Sequence, residues 1–389
     1  MQSTGGFKLT ITIGGSVIPI QPQMIQELTI SQDMDQLLPT FKMIIREPTN
    51  LLGEVIPLDK DANSISLKIT GMLGEDFSNE FDFVVKRRRT GMSADYVVEG
   101  ILNIAGLLDP FRVRALTGDV RTNIEDIVNN ELGISDTELG ASLTLNKTIL
   151  QPNWTNAQLF RYLRANLLGA NSQSGYACFI KNISNTPIFV FKSINELVAQ
   201  DSLFNFMIGN RQFENHRPVS DYHVLDSSRF LGGFGGKTQS YAYFDYATGT
   251  RKSDSINITE YPSLAEQFLI DDDSDTVGVD FMEGRSNGFT DDFTGRIKNG
   301  YYNRLTGLVN MWISTWGTEN IAPGDIVKVV FSEAFASGDF YLYQHSGYWL
   351  VKRVVHSLTT TFMTNILLTR NGIDSSVANT LLVAERYKK

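Results

Sequence analysis

The residues able to do chemistry are few and scattered. His216, His223, His345 and His356 lie far apart, none in a spacing that would present two imidazoles to one metal. The single cysteine, Cys178, falls in the apolar run Tyr176-Ala177-Cys178-Phe179-Ile180, where a thiol is buried and inert rather than nucleophilic. The stretch 231–238, Leu-Gly-Gly-Phe-Gly-Gly-Lys-Thr, ends like a phosphate-binding loop. Leu231 stands where that motif needs glycine, however, and no amphipathic helix follows Thr238 to aim its N-terminus at a phosphate. The run Asp271-Asp272-Asp273-Ser274-Asp275 spaces carboxylates like a calcium loop, but Thr276 and Met282 occupy the positions that require Gly and Glu, so it reads as a solvated acidic loop. No Gly-x-Ser-x-Gly elbow occurs. The chain therefore reads as a non-enzyme with no cofactor and no metal. Its one dense basic cluster is Lys86, Arg87, Arg88 and Arg89, following the strand 81–85. That cluster is either a solvated hairpin end guarding a strand edge or a contact with a subunit, an acidic partner or nucleic acid.

Positioning even these groups needs a substantial framework. At 389 residues the chain is long enough for two or three packed units. With 42% hydrophobic and 20% charged residues it has the material for a core, which excludes disordered and fibrous classes. Acidic residues exceed basic ones by nine, which disfavours a protein that works by wrapping nucleic-acid phosphates. One cysteine permits no internal disulfide, consistent with synthesis in the cytosol. Neither a signal peptide nor a membrane span is expected from the hydropathy.

Period-2 alternation marks strands early, as in Leu9, Ile11 and Ile13 and again in Ile65, Leu67 and Ile69, with further strands at 27–31, 41–46, 81–85 and 96–102. Residues 1–115 are assigned to a first antiparallel β-barrel domain. The period then changes. Thr122 and Glu125 form a capping box before a short helix. Thr155 and Gln158 form a second, with Trp154 as the staple partner of Leu159, before a helix ending at Gly169. Strands at 176–181 and 188–192 complete an α+β insertion over 116–202. Residues 203–252 contribute strands to a second barrel, and 253–305 are read as a long loop with a helix from 293 towards 305. Residues 306–374 form the second barrel domain, with strands at 307–316, 326–331, 348–354 and 361–369, and 375–389 a C-terminal helix and tail over 377–386. The predicted class is α+β, mainly β: two similar antiparallel barrels around an α+β insertion. A faint echo between 27–46 and 354–371 suits two copies of one barrel.

In this order of parts, and in two sets of residues, the chain resembles the central baseplate hub proteins of contractile-tailed bacteriophages, and more distantly the hub part of type VI secretion spike proteins. The first set is Asn153-Trp154-Thr155 opening a helix that runs to Gly169 and the strand after it. The second is Ile321-Ala322-Pro323-Gly324-Asp325-Ile326-Val327 followed by Gly347 to Leu358, with its Val-Val-His ending. The resemblance covers nearly the whole chain, though the 253–295 loop and the glycine-rich 231–238 stretch have no place in the family pattern. It implies a homotrimer in the tail baseplate of a virion, whose two barrels per chain make a six-fold-like ring. That ring adapts a hexameric tail tube protein to a trimeric central spike protein, contacts other baseplate proteins, and lets DNA pass through its lumen. A spike follows the hub in some family members. This sequence ends at Lys389, so the reading expects the spike as a separate partner. Alternatives are the hub of a phage-derived bacteriocin or secretion device, a cell-wall glycan hydrolase using Asp271 and Asp273, and a carbohydrate-binding module.

Overall fold

The computed structural model describes residues 7–13, 16–18, 24–46, 64–71, 78–90, 95–109, 112–170, 173–183, 186–209, 216–226, 238–245, 249–257, 267–268, 282–284, 295–296, 298–300, 307, 309–317, 320–331, 345–359 and 361–373. The first half of the chain builds β1 (Phe7–Ile13), β2 (Ser16–Ile18), β3 (Ile25–Asp33), β4 (Thr40–Arg46), β5 (Ser64–Gly71), β6 (Ser78–Thr90) and β7 (Asp95–Leu102). They lie in the order β3-β4-β7-β6-β5-β1-β2, every pair antiparallel. The predicted alternation is what buries them: Ile11, Ile13, Ile65, Leu67, Ile69, Phe81 and Phe83 all face one core. Gly100 interrupts β7 because the Phe41 ring of β4 lies over it; an added Cβ would stand 2.3 Å from that ring and 2.5 Å from the Val84 carbonyl.

The middle of the chain forms β8 (Arg112–Leu116), α1 (Val120–Asp126) with a π-helical turn at Ile127–Glu131, β9 (Asp136–Leu139) and β10 (Ile149–Trp154). It continues with α2 (Asn156–Asn166), β11 (Tyr176–Ile183), β12 (Thr186–Ser193) and α3 (Ile194–Val198). β8 and β10 make a two-stranded ribbon, and β11, β12 and β9 a small mixed sheet. Thr155 caps α2 with the full capping box expected, while Trp154 packs on the Tyr162 ring at 5.1 Å. The start of α1 differs from the expectation: Asp119, not Thr122, is the cap, accepting from Thr122 N at 3.0 Å and Leu145 N at 2.9 Å. The insertion shares a continuous core with the first sheet half, from Ile11 through Leu159 and Phe160 to Phe191.

The last part contributes β13 (Ser202–Ile208), β14 (Arg217–Pro218), β15 (Asp221–Asp226), β16 (Thr238–Asp245), β17 (Thr250–Asn257), β18 (Gln267–Phe268) and β19 (Met282–Gly284). The chain ends its described part in β20 (Val309–Trp316), β21 (Ile326–Phe331), β22 (Gly347–Leu358), β23 (Phe362–Arg370) and β24 (Gly372–Ile373). β13, β21, β22, β23, β20 and β15 surround a second core built on Phe206, Val329, Trp349 and Ile366. β22 joins the halves: along one edge its start pairs with β21 and its end with β3, while β23 runs along the other edge. One 14-stranded sheet therefore runs through the molecule.

The expectation of a mainly β, largely antiparallel fold is met, without its finer detail of two separate barrels. The molecule is mainly β, its pairings mostly antiparallel, but no closed barrel is found among the described residues. The second half curls until β14 touches β13, yet that contact is parallel and only two residue pairs long, too short for a barrel seam. Periodicity reports which face of a strand is wet, and an open curled sheet and a barrel read alike on that measure. The 253–295 stretch is also less uniform than a single loop, since β17 extends through Asn257 and β18 and β19 follow. The 293–305 helix is described only at 295–296 and 298–300, and the 377–386 helix lies outside the described residues.

Candidate functional site

The basic cluster read from the sequence lies within a strand, at the end of β6 that pairs with the start of β7. β6 runs through Thr90, and Arg87, Arg88 and Arg89 pair with Glu99, Val98 and Val97 of β7. The register shifts between Val85 and Arg87, which places Lys86 at a bulge, where it is exposed. Residues 231–237 and 271–275 lie outside the described residues. Cys178 is buried and its thiol is pushed up to about 12 by burial, which leaves it protonated and unreactive. His356 is buried in β22 with Nδ1 3.2 Å from Thr364 Oγ1, and burial alone lowers it to about 4. Among the described residues no three of His, Cys, Asp and Glu converge on a metal position. No helix there is long and apolar enough to cross a membrane.

What the fold does gather is charge at the seams between its parts, in residues that the motif search passed over. A bulge in β22 between Val351 and Arg353 turns Lys352 out of the ladder. Its carbonyl accepts from Met34 N at 3.0 Å and its ammonium reaches Asp35 at 3.1 Å. Arg164, on the last turn of α2, grips the same Asp35 carboxylate at 2.6 Å and also donates to the Asp35 carbonyl. Burial would raise the Asp35 carboxyl, but Lys352 and Arg164 hold it below the ordinary carboxylate range. Two residues earlier, the fully buried carboxylate of Asp33 pairs with Arg353. The turn between β3 and β4 thus clamps α2 and β22 together. Beside it lies a cavity of about 480 Å³ walled by Leu37, Leu38, Ile101 and Leu108, with Arg161 on its polar side.

A second clamp centres on β11, buried along nearly its whole length. Lys181 interrupts its apolar sequence, and its ammonium lies 2.8 Å from Glu138 and 3.6 Å from Asp325. Lys192 holds the other oxygen of Glu138 at 2.8 Å. Burial would raise Glu138, yet the two lysines keep it low. Burial does raise Asp325, against the pull of Lys181, while one Asp325 oxygen accepts from Ala322 N at 2.8 Å. The Pro323-Gly324-Asp325 turn read from sequence is what brings this carboxylate in: Gly324 adopts φ of 90° and packs on Phe179. On its other side β11 is tied to the first half through Gln32 with Asn182, Leu37 O with Ile180 N, and Glu80 O with Asn182.

A third cluster backs the β8–β10 ribbon. Arg114 bonds Gln151 at 2.8 Å and Asn156 at 3.0 Å and pairs with Glu131, which also holds Arg112 at 3.1 Å. These clusters have no nucleophile, no proton relay opening on a cleft and no ligand set. They fix rigid parts to one another, which is the chemistry of a scaffold. Two sequence features could have drawn attention to them: a lysine inside an apolar strand run, and the alternation Arg112-Val113-Arg114-Ala115-Leu116.

No protein-family model matches the chain, and no curated protein sequence does. Solved structures do. The tail protein from Neisseria meningitidis MC58 superposes with a TM-score of 0.59 at 12% identity, over 95% of this chain and 98% of its own. The 43 kDa tail protein of prophage MuSo2 from Shewanella oneidensis gives 0.57 at 10% identity, over 96% and 100%. A chain of the Francisella PdpA–VgrG complex gives 0.51 at 8% identity, over 95% of this chain but 53% of its own. Over 95% and 96% of its length, the chain shares the fold of the two tail proteins.

Proposed function

We propose that the chain is a structural, non-enzymatic hub of a contractile phage tail baseplate. The observation that carries this reading is the two-way coverage: the two tail proteins match over 98% and 100% of their own length, so the likeness is to an entire architecture and not to a shared strand motif. The seams support it, since two charge clusters lock the insertion between two sheet halves, as a part under load requires, and a third braces the insertion from within. In this reading the two sheet halves act as similar lobes, and three copies present six lobes to a hexameric tail tube while binding a trimeric central spike and neighbouring baseplate proteins. The net acidic charge suits a lumen through which DNA slides without sticking, because phosphate attraction is what makes nucleic-acid binding tight. The domain limits at 115, 202, 252, 305 and 374 belong to the same proposal, as does a virion location after synthesis in the host cytoplasm.

The test is the solution mass by light scattering, with negative-stain images of the same fraction. A mass three times 43.5 kDa with ring-shaped particles is expected. A chain that stays monomeric both alone and with its spike overturns the ring. Charge reversal at Lys86, Arg87, Arg88 and Arg89 is expected to weaken that assembly, and a ring that forms unchanged removes the cluster from the interface. The same architecture would serve a bacteriocin or secretion device, which genome context separates from a virion. A zymogram with no clearing of peptidoglycan is expected, against the hydrolase alternative at Asp271 and Asp273.

A further inference from the structure

We infer that Lys181 and Asp325 condense into an intramolecular amide, with Glu138 as the proton carrier, so that the insertion and the second half of the chain become covalently joined. The inference does not depend on the tail reading above and stands or falls apart from it.

The second clamp places three groups for this step. The Lys181 side chain is 6% exposed and that of Asp325 10%, so the carboxyl carbon within reach of this buried amine belongs to the chain itself and no outside substrate is involved. Lys181 Nζ lies 3.6 Å from Asp325 Oδ1, and Glu138 Oε1 lies 2.8 Å from the same nitrogen. The other Asp325 oxygen, Oδ2, accepts from Ala322 N at 2.8 Å. That bond divides the roles of the two oxygens. Oδ2 is the carbonyl oxygen, whose developing charge the backbone N–H stabilises, while Oδ1, facing the amine, carries the proton and leaves. The Asp325 backbone is held in place, since Val351 N donates to the Asp325 carbonyl and Gly324 N to the Val351 carbonyl, both at 2.8 Å. Lys181 is fixed by the unbroken pairing of β11 with β12. Two reactants held together in this way have already lost the freedom that makes an amine and an acid slow to meet.

In water an ammonium and a carboxylate do not condense, because hydration favours the ions and neither ion is the reactive form. Burial reverses that preference. Moving one proton from Lys181 to Asp325 turns the ion pair into an amine and a carboxylic acid at unchanged total charge, and a dry site favours the neutral forms. Burial raises the Asp325 carboxyl accordingly, whereas Glu138, held by Lys192 as well, stays ionised. A carboxylic acid is an electrophile and a carboxylate is not, so Asp325 is attacked although Glu138 lies closer.

The Nζ lone pair attacks Asp325 Cγ, the C–N bond forms, and Glu138 takes one proton from Nζ. The Cγ–Oδ1 bond then breaks, and the proton on Glu138 passes to the departing hydroxyl, which leaves as water. Glu138 ends as the carboxylate it began as, and nothing is oxidised or reduced. Of the charged groups in the clamp only Glu138 and Lys192 then remain, paired at 2.8 Å, which accounts for the second lysine.

The test is intact-mass spectrometry of the purified, folded chain. Wild type is expected to be lighter than its sequence by the mass of one water, and Glu138→Gln and Lys181→Arg are each expected to have full mass. Asp325→Asn is expected to lose ammonia instead, because its leaving group is an amine. After unfolding and trypsin, a branched wild-type peptide is expected to join residues 165–192 to 305–328, uncut at Lys181 because an acylated lysine is not a trypsin site. Full mass in wild type overturns the amide, as does a branch from 165–192 to 122–147, the peptide that carries Glu138. A loss of water that persists in Glu138→Gln removes Glu138 as the proton carrier. These readouts are independent of oligomeric state, so their failure is distinct from failure of the ring.

Discussion

Lys181 occupies a position where only an ion pair makes a charged side chain tolerable, since the strand around it is buried and its side chain is 6% exposed. Its replacement by methionine leaves Asp325 buried without its cation, whereas Glu138 keeps Lys192. Lys181→Met is expected to lower stability by about 3 kcal/mol, read as a shift in the urea midpoint at constant slope. His356 makes a pH prediction. Its folded value of about 4 lies below the ordinary value near 6.5, so the unfolded chain takes up the proton first. The contribution is therefore full above about pH 6.5 and is lost as the pH falls towards 4, at up to about 1.4 kcal/mol per pH unit. Urea titrations across that range are expected to show this slope in wild type and a shallower one in His356→Gln. Neither residue was legible as a site in the sequence. Lys181 reads as one polar position in a strand, and its partners Glu138 and Asp325 are 43 and 144 residues away, separations that no local pattern reports.

Elements were far more legible, because hydrophobic alternation and caps are local. Strands 41–46, 96–102 and 326–331 are found within a residue of their structural limits. The Thr155 capping box stands where expected, and Thr155→Ala is expected to cost about 1 kcal/mol, with faster amide exchange in the first turn of α2 as the measurement. At α1 the same rule missed. Asp119 and Thr122 both suit a cap, and Asp119 prevails because its carboxylate also satisfies Leu145 N from a distant turn. The ribbon was missed for a related reason. Its alternation is inverted, with Arg112 and Arg114 turned inward and Val113 and Ala115 outward, so the residues that periodicity would bury are the exposed ones.

At the scale of the whole molecule, the sequence indicated a mainly β architecture in three parts but not how the parts connect. Two barrels and one continuous sheet share the same strand list. The difference lies in β22, a single strand that serves both halves. It also lies in a core that the insertion shares with the first half. The two halves are therefore expected to unfold together, as one calorimetric transition with no separate melting of an N-terminal part. Two well-separated transitions would mean that the halves are independent domains after all.

That shared strand has a mechanical consequence. Where β22 meets β3, six consecutive residue pairs from Arg353 with Asp33 to Leu358 with Leu28 run side by side in opposite directions. A pull that draws the halves apart along this direction loads those bonds in parallel, as shear, and none can open before its neighbours. The Asp33–Arg353 pair and the Lys352–Asp35 contact close one end of the same seam like a rivet. Stretched between its two halves, a single chain is expected to hold to one high force peak and then give way at once, whereas peeling the ribbon β8–β10 apart strand by strand would proceed at low force.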